Sequence, residues 1–208
     1  MSGKTGLFGG TFDPPHNGHL HIARAFADET GLDTVIFLPA GDPYHKSAPC
    51  TPAAHRLAMT ELAAAADPRF AVSDLDIVRG GATYTADTVQ IFRQHFPADE
   101  LWWLMGADSL AALHTWKHWQ TLVRQTNIAV AARSGFSLAA LPPELHDWAG
   151  YALSRGSLRL LQAPLSDISS TDIRGRLKNG HSADGLIPPQ VAAYIRRHNL
   201  YAENPQAV

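Results

Sequence analysis

Short runs of apolar and β-branched residues alternate along this chain with longer stretches in which apolar positions recur every three or four residues. The first run, Thr5-Gly6-Leu7-Phe8, reads as a buried strand. Behind it, Leu20, Ala23, Phe26 and Ala27 fall on one face of a helix that opens near Asn17. The run Thr34 to Leu38 is continuous, the form taken by strands covered on both faces in a parallel sheet, and Leu101 to Met105, Asn127 to Ala132 and Leu158 to Leu161 read as further strands. Phe70-Ala71-Val72 and Leu75 to Val78 read as shorter strand pieces. Between them, Thr51 and Pro52 supply an N-cap and first position for a helix to about Ala66, with Leu57, Met59, Leu62 and Ala63 inward. Thr85 caps a further helix, Ala86 to Phe96, with Val89, Phe92 and Phe96 inward. Ser137 to Gly156 is proline-rich, then amphipathic.

Strand, helix and strand in that order give right-handed crossovers. The expected fold is α/β: a Rossmann-like, doubly wound, mostly parallel sheet with helices on both faces. A small helical C-terminal part begins at about residue 164. There Ser170-Thr171 caps a helix from Asp172 to Lys178, and Gly180 ends it. Pro188-Pro189 opens the last helix, with Val191, Tyr194 and Ile195 as its stripe. Residues 1–203 read as one domain, and Asn204 to Val208 as a loose tail.

Composition narrows the function classes. The chain has 208 residues, 45% of them apolar, enough for a substantial core. Lys and Arg number 17 against 19 Asp and Glu, a net charge of −2, which argues against a nucleic-acid or polyanion surface. A single cysteine, Cys50, excludes an internal disulfide framework. No signal peptide is seen ahead of the first strand, and no apolar run approaches the roughly 20 residues of a membrane helix. A soluble cytoplasmic protein is expected, with no nucleic-acid or membrane partner. The oligomeric state is open, a homo-oligomer included.

Candidate chemistry concentrates in Gly9-Gly10-Thr11-Phe12-Asp13-Pro14-Pro15-His16-Asn17-Gly18-His19. The stretch joins the first strand to the first helix, where a βα unit binds an anion. Glycines let backbone come close to phosphate, and free N–H groups at the helix start point at it. His16 and His19 are three apart, so both rings lie on one side of the first turn. Two imidazoles beside such donors suit a polyphosphate whose charge grows during reaction. The competing readings are a plain glycine turn and a zinc pair. The stretch is neither GxGxxG nor a Walker loop. Zinc would want a third and fourth ligand of suitable type.

The stretch resembles the signature of the HxGH nucleotidyltransferases, with His16-Asn17-Gly18-His19 as the HxGH element. In its longer form, GGTFDP-x-H-x-GH, it looks like that of the bacterial nicotinate-nucleotide adenylyltransferases. A second stretch far downstream, Ile168-Ser169-Ser170-Thr171-Asp172-Ile173-Arg174, resembles the same family's ISST-x-x-R motif. The resemblance runs from about Leu7 to Tyr201. It implies transfer of the adenylyl group of ATP to nicotinate mononucleotide, with magnesium arriving on ATP and no protein metal cage.

By that resemblance His16, His19 and Arg174 are catalytic. Gly9, Gly10, Thr11, Phe12, Gly106, Asp108, Arg133, Ser169, Ser170 and Thr171 join them around ATP. His45 and Lys46, in a loop from Pro39 to Cys50, match a phosphate-contacting P-x-H-K segment, with Tyr44 where the family commonly has proline. Tyr84 and Thr85 match a YTAxT segment at the nicotinate pocket, and Trp116 matches the residue that stacks on the pyridine. Read without the family, His45 and Lys46 are a solvated loop, Asp108 and Thr85 are helix caps, and Trp116 and Trp119 are core residues. Trp119 is the better core candidate. Two alternatives stand beside the main reading. One is another HxGH enzyme, acting on phosphopantetheine, a cytidylyl donor or nicotinamide mononucleotide. The other is a non-catalytic nucleotide-binding module.

Overall fold

A computed structural model describes residues 2–41, 51–132, 135–164 and 166–202. Among these residues six strands form one sheet: β1 (Lys4–Gly10), β2 (Thr34–Pro39), β3 (Phe70–Val72), β4 (Glu100–Gly106), β5 (Asn127–Ala131) and β6 (Leu158–Leu160). Their order is β3-β2-β1-β4-β5-β6, and every pairing is parallel. Leu7 of β1 sits between Ile36 of β2 and Trp103 of β4. The chain leaves β1 toward one edge of the sheet and returns beside it, as β4, to build the other half. That reversal opens a crevice beyond the carboxyl ends of β1 and β4, where ligands bind in such sheets.

Alternation along each strand sends side chains to two separate cores. Val35, Phe37, Trp102, Leu104 and Ala129 pack on one face of the sheet. They meet α1 (Asn17–Thr30), α2 (Ala53–Ala64), α8 (Ser170–Lys178) and α9 (Pro189–Arg197). Leu7, Ile36, Leu38, Leu101, Trp103, Ile128 and Val130 pack on the other. They meet α4 (Thr85–His95), α5 (Ala107–Ala111), α6 (Trp119–Gln125) and α7 (Pro143–Ser154). The doubly wound reading therefore holds, with the described sheet wholly parallel. Among the described residues no helix is long and apolar enough to cross a membrane.

Several local expectations are corrected. Leu75 to Val78 does not add a strand; Leu75–Arg79 is a short helix, α3. Asp76 and Arg79, three apart, face one partner, the Thr88 hydroxyl, which lies 2.7 Å from the Asp76 carboxylate and 3.0 Å from an Arg79 N–H. A strand would send positions 76 and 79 to opposite faces. Thr51 does not cap α2; Pro52 stands at the N-cap without a side-chain bond. Leu57 and Leu62 are only half-buried, while Arg56, Met59, Thr60 and Ala63 form the buried stripe. Thr85 is the first residue of α4 and Tyr84 its N-cap. Phe96, at that helix's C-cap, is exposed, although its ring stacks on buried Phe92. The cap of α8 is Ser169, whose hydroxyl accepts the Asp172 N–H, rather than the Ser170-Thr171 pair. Gly180 follows that helix in the left-handed conformation, φ 72°.

Candidate active site

The stretch after β1 folds tightly on itself and onto distant segments. Phe12 has φ 50° and is buried, so its backbone turns while its ring enters the core. There it meets Phe37 and stands edge-on to His19 at 5.1 Å. A Cβ on Gly9 would come within 2.8 Å of the Trp103 ring, and one on Gly10 within 2.8 Å of the Phe12 ring. Both glycines are therefore demanded by close packing within the protein, whatever the backbone also offers a ligand.

His16 is the N-cap of α1 and His19 its third residue. The His16 Nδ1 accepts the His19 N–H at 3.3 Å, and the His19 Nδ1 accepts the His16 N–H at 3.2 Å. This is a capping box in which two imidazoles do what Ser and Glu usually do. The rings lie stacked, 3.6 Å apart and 22° from parallel. Gly18 makes room for them: a Cβ there would lie 3.0 Å from the His16 Nδ1. With both Nδ1 atoms accepting, the proton of each neutral ring sits on Nε2. Burial holds both rings neutral. It brings His16 down from 6.5 to about 4, and burial with the facing His16 pushes His19 well below its usual value.

The box corrects one expectation. The helix-start N–H groups of His16 and His19 are taken by the two imidazoles, and that of Asn17 donates to the Leu186 carbonyl at 2.8 Å. Among the described contacts Gly18 alone keeps a first-turn N–H without a protein acceptor. The donors that α1 offers an anion are thus chiefly two Nε2–H groups.

The second motif closes over the first. The Ser170 hydroxyl donates to the Pro14 carbonyl at 2.9 Å. Arg174 donates through Nη1 to the Asp13 carbonyl at 2.7 Å and through Nη2 to the Thr171 hydroxyl at 3.3 Å. Arg174 is half-buried, and Ser169 and Thr171 are exposed at the helix start. The Asp13 carboxylate is itself buried and accepts the Tyr201 hydroxyl at 2.6 Å and the Thr51 N–H at 3.3 Å. Burial and that neighbouring carboxylate push the Tyr201 phenol upward.

Between these elements lies a cavity of about 220 Å³, lined by His16, Gly18, His19, Gly106, Ser166 and Ile168. Gly106, at the end of β4, has ordinary dihedrals and would place a Cβ in open space. Among the described residues no packing contact accounts for glycine there. Asp108 is exposed on the first turn of α5.

The expected pyridine residues sit on elements that pack against the other face of the sheet. Tyr84 and Thr85 head α4, half-buried. Trp116 follows a short 3₁₀ turn, Leu113–Thr115, and the neighbouring Lys117 ammonium lies 4.2 Å over the Tyr84 ring, joining the two segments. Trp116 and Trp119 are both half-buried against the same core, and Trp119 also meets Trp148 edge-on at 6.2 Å. The contrast expected between them is smaller than the sequence implies. His45, Lys46 and Arg133 lie outside the described residues.

One residue of this region escaped the sequence reading. Arg56 of α2 is fully buried and donates to four backbone carbonyls around the site. Its signal is a cation on the apolar stripe it shares with Met59 and Ala63.

The chain is similar to known proteins along most of its length. A family model of cytidylyltransferase-like proteins matches residues 7–176. A Neisseria meningitidis serogroup C protein named "Probable nicotinate-nucleotide adenylyltransferase" is 68% identical over 198 residues, covering 95% of this chain and 98% of its own. One of the same name from Chromobacterium violaceum is 49% identical over 211 residues, covering 97% of this chain and 100% of its own. The chain belongs to the nicotinate-nucleotide adenylyltransferase family. It is thus a nucleotidyltransferase within the cytidylyltransferase-like group. The fold recurs in Plasmodium falciparum nicotinic acid mononucleotide adenylyltransferase, solved as a complex with NaAD. That structure has a TM-score of 0.75 at 19% identity and covers 96% of this chain and 97% of the other.

Proposed function

We propose that this chain transfers the adenylyl group of ATP to nicotinate mononucleotide, giving nicotinate adenine dinucleotide and pyrophosphate, a step of NAD synthesis. The observation that carries the reading is the reciprocal cap of His16 and His19, which leaves two neutral Nε2–H donors on one cavity at the carboxyl ends of β1 and β4.

The proposed step is in-line displacement. A phosphate oxygen of the mononucleotide attacks the α-phosphorus of ATP, and the bond to the bridging oxygen breaks, releasing pyrophosphate. A phosphate monoester is already largely ionised at neutral pH, so the step needs no protein nucleophile and no general base. The protein acts by alignment and by donors placed where charge grows. His16 and His19 donate to phosphate oxygens through Nε2. Gly106 lets the nucleotide approach the end of β4, with Asp108, Ser169, Ser170 and Thr171 around it and Arg133 joining them by the resemblance. Arg174, held by the Asp13 carbonyl, has further N–H groups for the departing pyrophosphate. By the resemblance His45 and Lys46 would add positive charge, while Tyr84, Thr85 and Trp116 would receive the pyridine.

Magnesium would offset charge on the triphosphate and polarise the α-phosphoryl group. Among the described residues no three His, Cys, Asp or Glu side chains converge as a cage. Magnesium is read as arriving with ATP, held by the phosphate oxygens. The proposed setting is the cytoplasm.

The test is an acceptor screen for ATP-dependent pyrophosphate release. Nicotinate mononucleotide, nicotinamide mononucleotide, phosphopantetheine and water alone are compared. Turnover with the nicotinate acceptor above all others supports the reading. Preference for another acceptor reassigns the substrate, and nucleotide binding without release under any acceptor leaves a binding module.

A further inference from the structure

The guanidinium of Arg56 is fully buried on the apolar stripe of α2. A cation so placed is tolerated only where its donors are met. Four of its five N–H groups reach described carbonyls. Nε donates to Thr51 at 2.8 Å, Nη1 to Thr11 at 2.9 Å and to Ala40 at 2.7 Å, and Nη2 to Gly41 at 3.2 Å. These carbonyls belong to three separate pieces of chain. Thr11 lies in the turn after β1 that leads to His16. Ala40 and Gly41 follow β2. Thr51 precedes α2, and its N–H is held by the Asp13 carboxylate. One planar group therefore sets the turn that carries His16 against the end of β2 and the start of α2.

We infer that Arg56 is a positioning residue of the adenylyl-transfer site. It touches no substrate and acts through the Thr11 carbonyl and the turn behind it. The inference rests on the proposed reaction. Lysine cannot replace it, because an ammonium donates from one point, whereas the four acceptors lie along three directions of the fork. Gly41 leaves the neighbouring chain little slack: a Cβ there would lie 2.8 Å from the Asp76 carbonyl.

The experiment compares wild type, Arg56→Lys and Arg56→Gln by circular dichroism, thermal midpoint and steady-state kinetics with ATP and nicotinate mononucleotide, well below the midpoints. The expected result is a folded Arg56→Lys variant with kcat about 10²-fold lower and both KM values little changed, since misalignment penalises the transition state more than binding. A folded variant with a lower midpoint and wild-type kcat would overturn the assignment, leaving Arg56 a stability residue. A rise in KM with kcat intact would overturn it too. If neither variant folds, Arg56 is a folding residue and the assignment falls. Wild-type turnover separates the two claims: an inactive wild type sinks the proposed reaction, whereas an active wild type beside an equally active variant sinks only the role of Arg56.

Discussion

His16 and His19 cap each other: each Nδ1 accepts the other's main-chain N–H, at 3.3 and 3.2 Å, with the two rings 3.6 Å apart. One face of each imidazole edge therefore builds the helix start, and the opposite nitrogen is left for a ligand. The two tasks can be separated by substitution.

Asparagine at an N-cap and glutamine three residues later satisfy the same main-chain groups as the two imidazoles. His16→Asn and His19→Gln should therefore stay within about 1 kcal/mol of wild-type stability. Each loses a donor to the reacting phosphates, so each should lose about 10²–10³ in kcat. Urea unfolding and pyrophosphate release on the same preparations check this. A folded variant with near-normal kcat removes that histidine from the mechanism.

The same pair sets a pH dependence of stability. In the unfolded chain both imidazoles titrate near 6.5, whereas folding brings His16 to about 4 and lowers His19 as well. As pH falls below 6.5, the unfolded chain takes up protons that the folded chain refuses. Stability is thus complete above that pH and is lost as pH falls toward 4, by up to about 3 kcal/mol from His16 alone. Asp67, held near 2 by Arg69, contributes its loss only below the usual carboxylate range, so the windows separate. Urea midpoints measured from neutral pH downward should fall in wild type and less steeply in His16→Asn. Equal slopes would show that His16 is not the titrating group.

Gly106 offers a test of where the nucleotide lies. Its dihedrals, φ −79° and ψ 163°, suit alanine, and a Cβ would meet nothing within 4 Å. Gly106→Ala should change stability by no more than about 1 kcal/mol. If ATP approaches the end of β4, the added methyl should raise KM for ATP well beyond that stability change. Unchanged kinetics would move the nucleotide away from Gly106.

The choice of pyridine is expected to lie with Thr85 and neighbouring backbone donors rather than with Trp116. A stacking face serves acid and amide alike, so Trp116→Ala should weaken both mononucleotides together. Hydrogen bonds to a carboxylate contribute about 1.5–3 kcal/mol each, and an amide presents an N–H₂ where those donors point. Wild type should favour the acid by roughly 10²–10⁴ in kcat/KM, and Thr85→Ala should narrow the ratio. Measured preference for the amide would sink the nicotinate assignment.

Much of this was legible in residue order. Thr34 to Leu38 and Leu101 to Met105 became strands buried along nearly their whole length, because such runs have no polar face to give to water, whereas β6 leaves Arg159 exposed. Leu75 to Val78 misled because four residues carry too little periodicity to tell strand from helix. There the Thr88 hydroxyl, supplied by α4, meets both Asp76 and Arg79 from a helical turn. His16 and His19 were visible by type and spacing and Ser170 and Arg174 through the resemblance to the family motif, and the structure brings the two segments together.

What each of those residues donates, and to whom, was decided by tertiary contacts. The main-chain N–H of Asn17 is consumed by Leu186, and the Asp13 carboxylate by Tyr201, 188 positions along the chain. Arg56 reads in sequence as one more helical cation, and only the convergence of Thr11, Ala40, Gly41 and Thr51 around it makes its burial tolerable. The six strands of the described sheet and the longer helices follow from local periodicity, the short helix Leu75–Arg79 does not, and the kinds of chemical group at the site follow from side-chain identity. The tertiary structure alone decided which polar groups are spent within the protein and which face the cavity, because every buried donor and acceptor must find a partner and those partners lie on distant segments.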